Sequence, residues 1–216
     1  MKSYNIAVEA YKKFSGVEGN QHIASEYALK IILNLISKFK VNSVLELGTG
    51  IGTIPYTVLE YAKEKRERIA YTCTEANEFC LSQLEGNLGA YYEKIELKNN
   101  LTVLQDNTFF DLIIVDSSDE NLEAIKKFCK PHSIIFVEGY RMSQVNIIRK
   151  IFPKVKHVTL ISTNKEPDYG PKPKEKWSGG GQVLFINPTF KQLLFWINHK
   201  FYTSFKYKVI RKLKEL

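Results

Sequence analysis

The segment best suited to chemistry is Glu46-Leu47-Gly48-Thr49-Gly50-Ile51-Gly52-Thr53. Glycines at alternate positions let the backbone turn sharply and let a ligand approach the main chain closely. Unpaired N–H groups at the start of the next helix attract an anionic group. Glu46, two residues before the first glycine, narrows the choice. A carboxylate there repels a diphosphate but attracts an ammonium group, by about 1.5–3 kcal/mol for a charged hydrogen bond. Glu75 stands 27 residues beyond Gly48, where an acidic side chain can accept hydrogen bonds from both hydroxyls of a ribose. Asn99 and Asn100 carry amides able to recognise an adenine edge, and they are followed by Asp116-Ser117-Ser118 and Glu138-Gly139-Tyr140-Arg141. Asp116 and Glu138, with His22 behind them, are the candidates for accepting a proton from an acceptor group. Structural roles compete: Asp116 would also cap a helix beginning near Asp119, and Glu138 would also pair with Arg141.

These residues meet only if regular elements bring them together. Residues 20–40 place Ile23, Tyr27, Ile31, Leu35 and Phe39 at helical spacing. SVLELGTG then reads as a buried strand and a tight turn. A helix over 53–66, a strand over 69–76, a helix over 77–91 and a strand over 94–100 follow. FFDLIIVDSS, with Leu112 to Val115 apolar in succession, has the pattern of a parallel strand covered on both faces. ENLEAIKKFC reads as helix, HSIIFVEGY as strand and SQVNIIRKIF as helix, and VTLISTN and GQVLFINP close the series as strands. The proline-rich connection KEPDYGPKPKEKWSGG is unsuited to a crossover helix, which makes the last two strands an antiparallel pair. The alternation predicts a doubly wound, mostly parallel α/β sheet, with ligands outside the carboxyl ends of its strands. Polar residues follow five successive strands, where such a site requires them.

The 216 residues suit one domain, and a 44% hydrophobic fraction with 25% charged residues is ordinary for a globular chain. Cys73, Cys80 and Cys129 are odd in number and form no CxxC pair, which argues against a disulfide framework or structural zinc and suits a reducing cytoplasm. The start of the chain lacks the apolar region of a secretory signal. The net charge of +8 is uneven: seven basic residues against Glu215 give +6 between Pro188 and Leu216, leaving +2 for the other 187 residues. A nearly neutral body argues against a nucleic-acid-binding surface.

VLELGTGIGT, Glu75, Asn99-Asn100 and FFDLIIVDSS, in this order and spacing, resemble the class I S-adenosylmethionine-dependent methyltransferases over roughly residues 20–187. The charge pattern agrees, since S-adenosylmethionine carries an ammonium, a carboxylate and a sulfonium but no phosphate. The resemblance implies a Rossmann-like sheet of seven strands with an antiparallel last strand. It implies methionyl contacts from Glu46, Gly48, Gly50 and Gly52, ribose contacts from Glu75 and adenine contacts from Asn99 or Asn100. Thr49, Thr53, Ala76 and Asp116 join them as cofactor-binding candidates, and S-adenosylhomocysteine is the implied product. DLIIVDSS and the helix before the glycine loop look closest to small-molecule O-methyltransferases of the catechol type. Metal-dependent members add an Asp-Asn pair after strand five; Glu138-Gly139 stands there instead, so a Mg²⁺ site is not expected. The Pro-Pro-Tyr-type motif of amino-methylating members is absent from Asp116-Ser117-Ser118.

The expected organisation is a methyltransferase domain over residues 1–187 with an N-terminal helical cap, then a basic amphipathic helix over 188–216. Phe190, Leu194, Ile197, Phe201, Phe205, Val209, Leu213 and Leu216 give that helix an apolar face suited to an anionic membrane surface, to the domain itself or to a second subunit. Tyr169, Trp177 and the run Gly179-Gly180-Gly181 offer either a lid over the acceptor or a turn with a core tryptophan. The expected activity is methyl transfer to an oxygen of a small molecule, or of a sugar or lipid precursor, in the cytoplasm or at the inner membrane surface. The rivals are a nicotinamide-dependent oxidoreductase, against which Glu46 and the lack of a Tyr-x-x-x-Lys pair weigh, and an inactive cofactor-binding module.

Overall fold

The computed structural model describes residues 3–117 and 121–214, so Ser118, Asp119, Glu215 and Leu216 lie outside the described residues. The run Ser43–Leu47 forms β1, an inner strand with parallel neighbours on both sides, β2 (Ala70–Thr74) and β4 (Phe110–Val115). With β3 (Ile95–Lys98), β5 (Cys129–Glu138), β6 (Lys156–Ile161) and β7 (Gly180–Phe185) it builds one seven-stranded sheet in the order β3-β2-β1-β4-β5-β7-β6. β7 runs antiparallel to both β5 and β6, as the proline-rich connection predicts. The remaining strands all point the same way, so their carboxyl ends collect along one edge.

Both sheet faces are covered. Alternation along β1 sends Val44 into one apolar layer and Leu45 and Leu47 into the other. The first layer is closed by α1 (Ser3–Ser15), α2 (Glu26–Phe39) and α3 (Thr53–Lys65), with α4 (Glu78–Leu88) supplying Cys80, Leu84 and Leu88. The second is closed by α5 (Met142–Ile151) and a 3-10 turn over Leu122–Phe128. Two helices are shorter than their spacing suggests. α2 begins at Glu26 because Ser25 caps it, its hydroxyl accepting from the Ala28 amide, and Asn20–His22 form a separate 3-10 turn. The 120–129 helix survives only as that seven-residue turn.

The segment between β6 and β7 folds back over the N-terminal helices. Tyr11, fully buried on α1, donates to the Glu166 carboxylate, and Tyr169 donates to Glu26 on α2. Tyr169 therefore holds the connection to α2. Burial and the Glu166 charge raise the Tyr11 phenol far above its usual range. Tyr11→Phe leaves the buried Glu166 side chain without its donor, since its other oxygen also lacks a partner. The expected cost is about 1–3 kcal/mol, read from urea denaturation; an unchanged midpoint would show that the pair adds nothing.

β6 is an edge strand, and its outward carbonyls need donors. They find them on α6 (Phe190–Phe205) and the π turn that continues it, Lys206–Arg211. Trp196 Nε1 donates to the His157 carbonyl at 2.8 Å, Thr203 Oγ1 to Thr159 at 2.6 Å and Lys206 Nζ to Ile161 at 3.1 Å, every second residue of the edge. Arg211 and Lys214 extend the series to the carbonyls of Ser162 and Thr163. Phe195 anchors the helix against Phe39 and Phe185. Of the three surfaces open to the apolar stripe, its own domain does not take it: the helix docks mainly through donors, and Phe190, Leu194, Ile197, Phe201, Phe205, Val209 and Leu213 face outward.

Candidate functional site

At the carboxyl ends of β1, β2, β4 and β5 lies a cavity of about 950 Å³, within the range of small-molecule sites. The loop after β1 forms one wall. Gly48 and Gly50 have φ of 81° and 55°, which L side chains rarely adopt. A Cβ on Gly48 would sit 2.4 Å from the Ser117 Cβ, and one on Gly50 would sit 2.5 Å from the His22 carbonyl oxygen. The absence of these side chains is what lets the β4 loop and the turn before α2 close on the glycine loop. Gly52, at φ 98°, packs against Leu84 and Leu88 instead and serves helix packing.

Glu75 ties β2 to this loop. Its Oε2 accepts from the Gly50 amide at 2.7 Å, while Oε1 accepts from the amides of Ala76 and Asn77, both at 2.9 Å. A carboxylate offers about four acceptor sites, so capacity remains for a ligand hydroxyl. Asn77 then caps α4 by accepting from the Cys80 amide.

Glu46 is fully buried beneath the loop and is not on the cavity wall. Thr49 and Tyr71 both donate to its Oε2, at 2.5 and 2.7 Å, while Oε1 has no protein partner. Burial raises its carboxyl to about 8, against the opposing hydrogen bonds from Thr49 and Tyr71. Burial thus favours the protonated carboxyl, and a ligand ammonium approaching it would favour the charged form. Thr53, the first residue of α3, is buried too, and its hydroxyl oxygen has no partner.

The opposite wall carries Asp116, Ser117, Glu138, Tyr140, Arg141 and Gln144. Arg141 does not pair with Glu138, its neighbour in sequence. Its guanidinium lies 3.0 Å from Asp116 Oδ1. Glu138 instead accepts from the Ser25 hydroxyl at 3.0 Å and the Ser25 amide at 3.3 Å, pinning the start of α2 to the end of β5. Burial first, then the Glu138 charge, raises Asp116 well above the carboxylate range, and Arg141 works against them. His22 lines the same cavity.

Asn99 and Asn100 are not brought to the cavity wall. Both are exposed, and the Asn100 Oδ1 is engaged locally, accepting from the amide and hydroxyl of Thr102. Gln144 and Lys172, which no strand-end pattern singles out, do reach the wall. Gln144 donates to the Ser117 carbonyl, leaving its own Oε1 without a protein partner. No cluster of three or more metal-ligating side chains occurs among the described residues. Arg141 on Asp116 and Ser25 on Glu138 also make a poor oxygen cage for Mg²⁺.

A second cavity of about 680 Å³ opens beside the first and shares Tyr140 with it. Leu160, Ile161, Trp177, Gly180 and Tyr207 line it, with Arg211 at its rim. Trp177 thus serves as a wall residue, with the Lys165 and Arg211 cations 3.8 and 4.6 Å from its ring centre.

No family model and no curated protein sequence matches the chain. Solved structures do. An O-methyltransferase of Bacillus cereus in complex with S-adenosylhomocysteine superposes with a TM-score of 0.58 at 16% identity, over 84% of this chain and 90% of that one. An S-adenosylhomocysteine-bound methyltransferase of Podospora anserina gives 0.55 at 12% identity, over 83% and 87%. A precorrin-6y C5,15-methyltransferase of Geobacter metallireducens gives 0.50 at 14%, over 72% and 86%. At such identities the likeness shows the fold, which is the Rossmann-like methyltransferase sheet expected from the sequence.

Proposed function

We propose that this chain binds S-adenosylmethionine in the larger cavity and transfers its methyl group to an oxygen of a small acceptor entering through the second. The observation that carries this is the convergence of Gly48, Gly50, Glu75 and Asp116, from the ends of three adjacent strands, on one cavity. The residues fit the cofactor by charge. Glu75, Asp116 and Glu138 line the cavity together with Arg141 and Lys172, a mixture suited to a zwitterionic tail and less so to a diphosphate. Structural neighbours bound to S-adenosylhomocysteine support the same reading. The nicotinamide alternative is weakened by β7, because an antiparallel strand between β5 and β6 breaks the 3-2-1-4-5-6 order of dinucleotide folds.

When bound, the cofactor supplies a methyl group already activated on a sulfonium. The protein's task is then to hold an acceptor oxygen in line and close, worth on the order of 7–11 kcal/mol at best. Asp116, raised toward neutrality, is suited to accept the acceptor's proton. Glu138 sustains that raised value, and Arg141 orients the Asp116 carboxyl. Tyr140, exposed between the two cavities, is placed to flank the acceptor.

Calorimetry with S-adenosylhomocysteine and with NADH tests the reading. Binding of the first without the second is expected. Glu75→Ala should weaken S-adenosylhomocysteine by about 10- to 100-fold, the value of lost charge-assisted hydrogen bonds. Tight NADH binding with none for S-adenosylhomocysteine would overturn it, and binding with no turnover on any phenol, sugar or amine would reveal an inactive module.

A further inference from the structure

α6 and the π turn after it present an apolar stripe that the fold does not use. Phe190, Leu194, Ile197, Phe201 and Phe205 fall within about 80° of arc at 100° per residue. Phe190 and Phe201 are each 76% exposed and Leu213 is 66% exposed. A four-residue spacing drifts around an α-helix, and the wider π turn at Lys206–Arg211 takes up part of that drift, keeping Val209 and Leu213 exposed beyond it. From Phe190 to Leu213 the stripe spans about 34 Å. It is not a loosely placed segment: the bonds from Trp196, Thr203, Lys206, Arg211 and Lys214 to successive carbonyls fix which face points out.

The charge around the stripe has one sign. Lys191, Lys200, Lys208 and Lys212 are exposed on the same helix, and no acidic residue occurs between Ile186 and Lys214. The neighbouring edge strand and its approach add Lys154 and Lys156. Among the described residues no helix is long and apolar enough to cross a bilayer. Exposed phenylalanine and leucine on one face with lysines beside it are the features of a helix lying in the plane of an anionic membrane.

We propose that this face docks the protein on an anionic lipid bilayer, with the phenylalanines seated at the headgroup–acyl boundary and the lysines among the headgroups. Charge decides between lipid and a second copy of the chain: a like copy would bring lysines against lysines along the same stripe. The inference stands independently of the cofactor assignment. Because Arg211 and Tyr207 belong both to this helical segment and to the second cavity, docking would bring that cavity near the lipid surface.

The full chain is centrifuged with vesicles of phosphatidylcholine alone and of equimolar phosphatidylcholine and phosphatidylglycerol. Binding to the anionic vesicles at least about tenfold above the neutral ones, weakened by salt, is expected. Phe201→Glu should lower that binding roughly tenfold or more, and Lys208→Glu with Lys212→Glu should remove the preference for anionic lipid. These side chains are exposed, so melting temperatures should stay unchanged and a folding defect can be told apart. Absence of binding to either vesicle, or equal binding of the parent and Phe201→Glu, overturns the proposal. So does a parent dimer that Phe201→Glu converts to monomer, which would assign the stripe to a second copy.

Discussion

Asp116→Asn is expected to lower turnover by about 10²–10⁴-fold while S-adenosylhomocysteine still binds, because a positioned general base contributes on that order. Burial and the Glu138 charge raise the Asp116 carboxyl toward the pH at which it must accept a proton. Asparagine keeps the shape and an oxygen for Arg141, whose guanidinium lies 3.0 Å away, but it cannot take the proton. The sign of the pH dependence follows. The parent's rate should rise with pH through the raised value of Asp116, and that rise should vanish in Asp116→Asn. The split between kinetic constants separates the two roles open to this carboxylate. A fall in kcat at saturating cofactor marks a proton acceptor. A weaker cofactor affinity with unchanged kcat would mark a contact to the cofactor's ammonium and remove the catalytic assignment. The measurement uses the best acceptor from a panel of phenols, sugars and amines.

The sheet was legible from sequence because parallel strands covered on both faces leave continuous apolar runs, as in Leu112–Val115. The glycine loop was legible because positive φ and close approach demand glycine, here at Gly48 and Gly50. Contacts between distant residues were not. Glu138 and Arg141 stand three apart and look like a local pair, yet Gly139 turns the chain at φ 72° and Arg141 finds Asp116. Ser25 then serves Glu138 from 113 residues away. Asn100 was ambiguous because an amide after a strand suits adenine and a local cap equally well, and its Oδ1 forms the cap. α6 is the most instructive case. Its periodicity marked the helix correctly, but hydropathy cannot see that an edge strand needs hydrogen-bond donors more than it needs apolar cover. The half-polar face carrying Trp196, Thr203 and Lys206 went inward, and the apolar stripe was left outside.

Glu46 permits a test that needs no acceptor. Burial raises its carboxyl from the ordinary 4.5 to about 8. The folded protein therefore holds a proton that the unfolded chain releases above 4.5, and stability falls as pH rises from there through 8. The full loss is on the order of 5 kcal/mol, at about 1.4 kcal/mol for each pH unit. Glu46→Gln removes this dependence and keeps an oxygen for Tyr71 and Thr49, which already share one carboxylate oxygen. Its amide nitrogen would occupy the place of Oε1, which has no protein partner, so little should be gained or lost at pH 5. At pH 9 the variant should be the more stable protein by several kcal/mol in urea denaturation. Asp116, also raised, adds a slope of the same sign to both proteins, so the difference between them isolates Glu46. Parallel pH profiles would show that the carboxyl is ionised in the fold despite its burial. The same variant then decides what lies near the cofactor's ammonium. If Glu46 ionises to meet it, S-adenosylhomocysteine binding at pH 7 releases close to one proton, measurable as a dependence of binding heat on buffer ionisation enthalpy, and Glu46→Gln abolishes that release. Should the release persist in the variant, the proton comes from Asp116, whose carboxyl is also raised, and the ammonium lies on the other wall of the cavity.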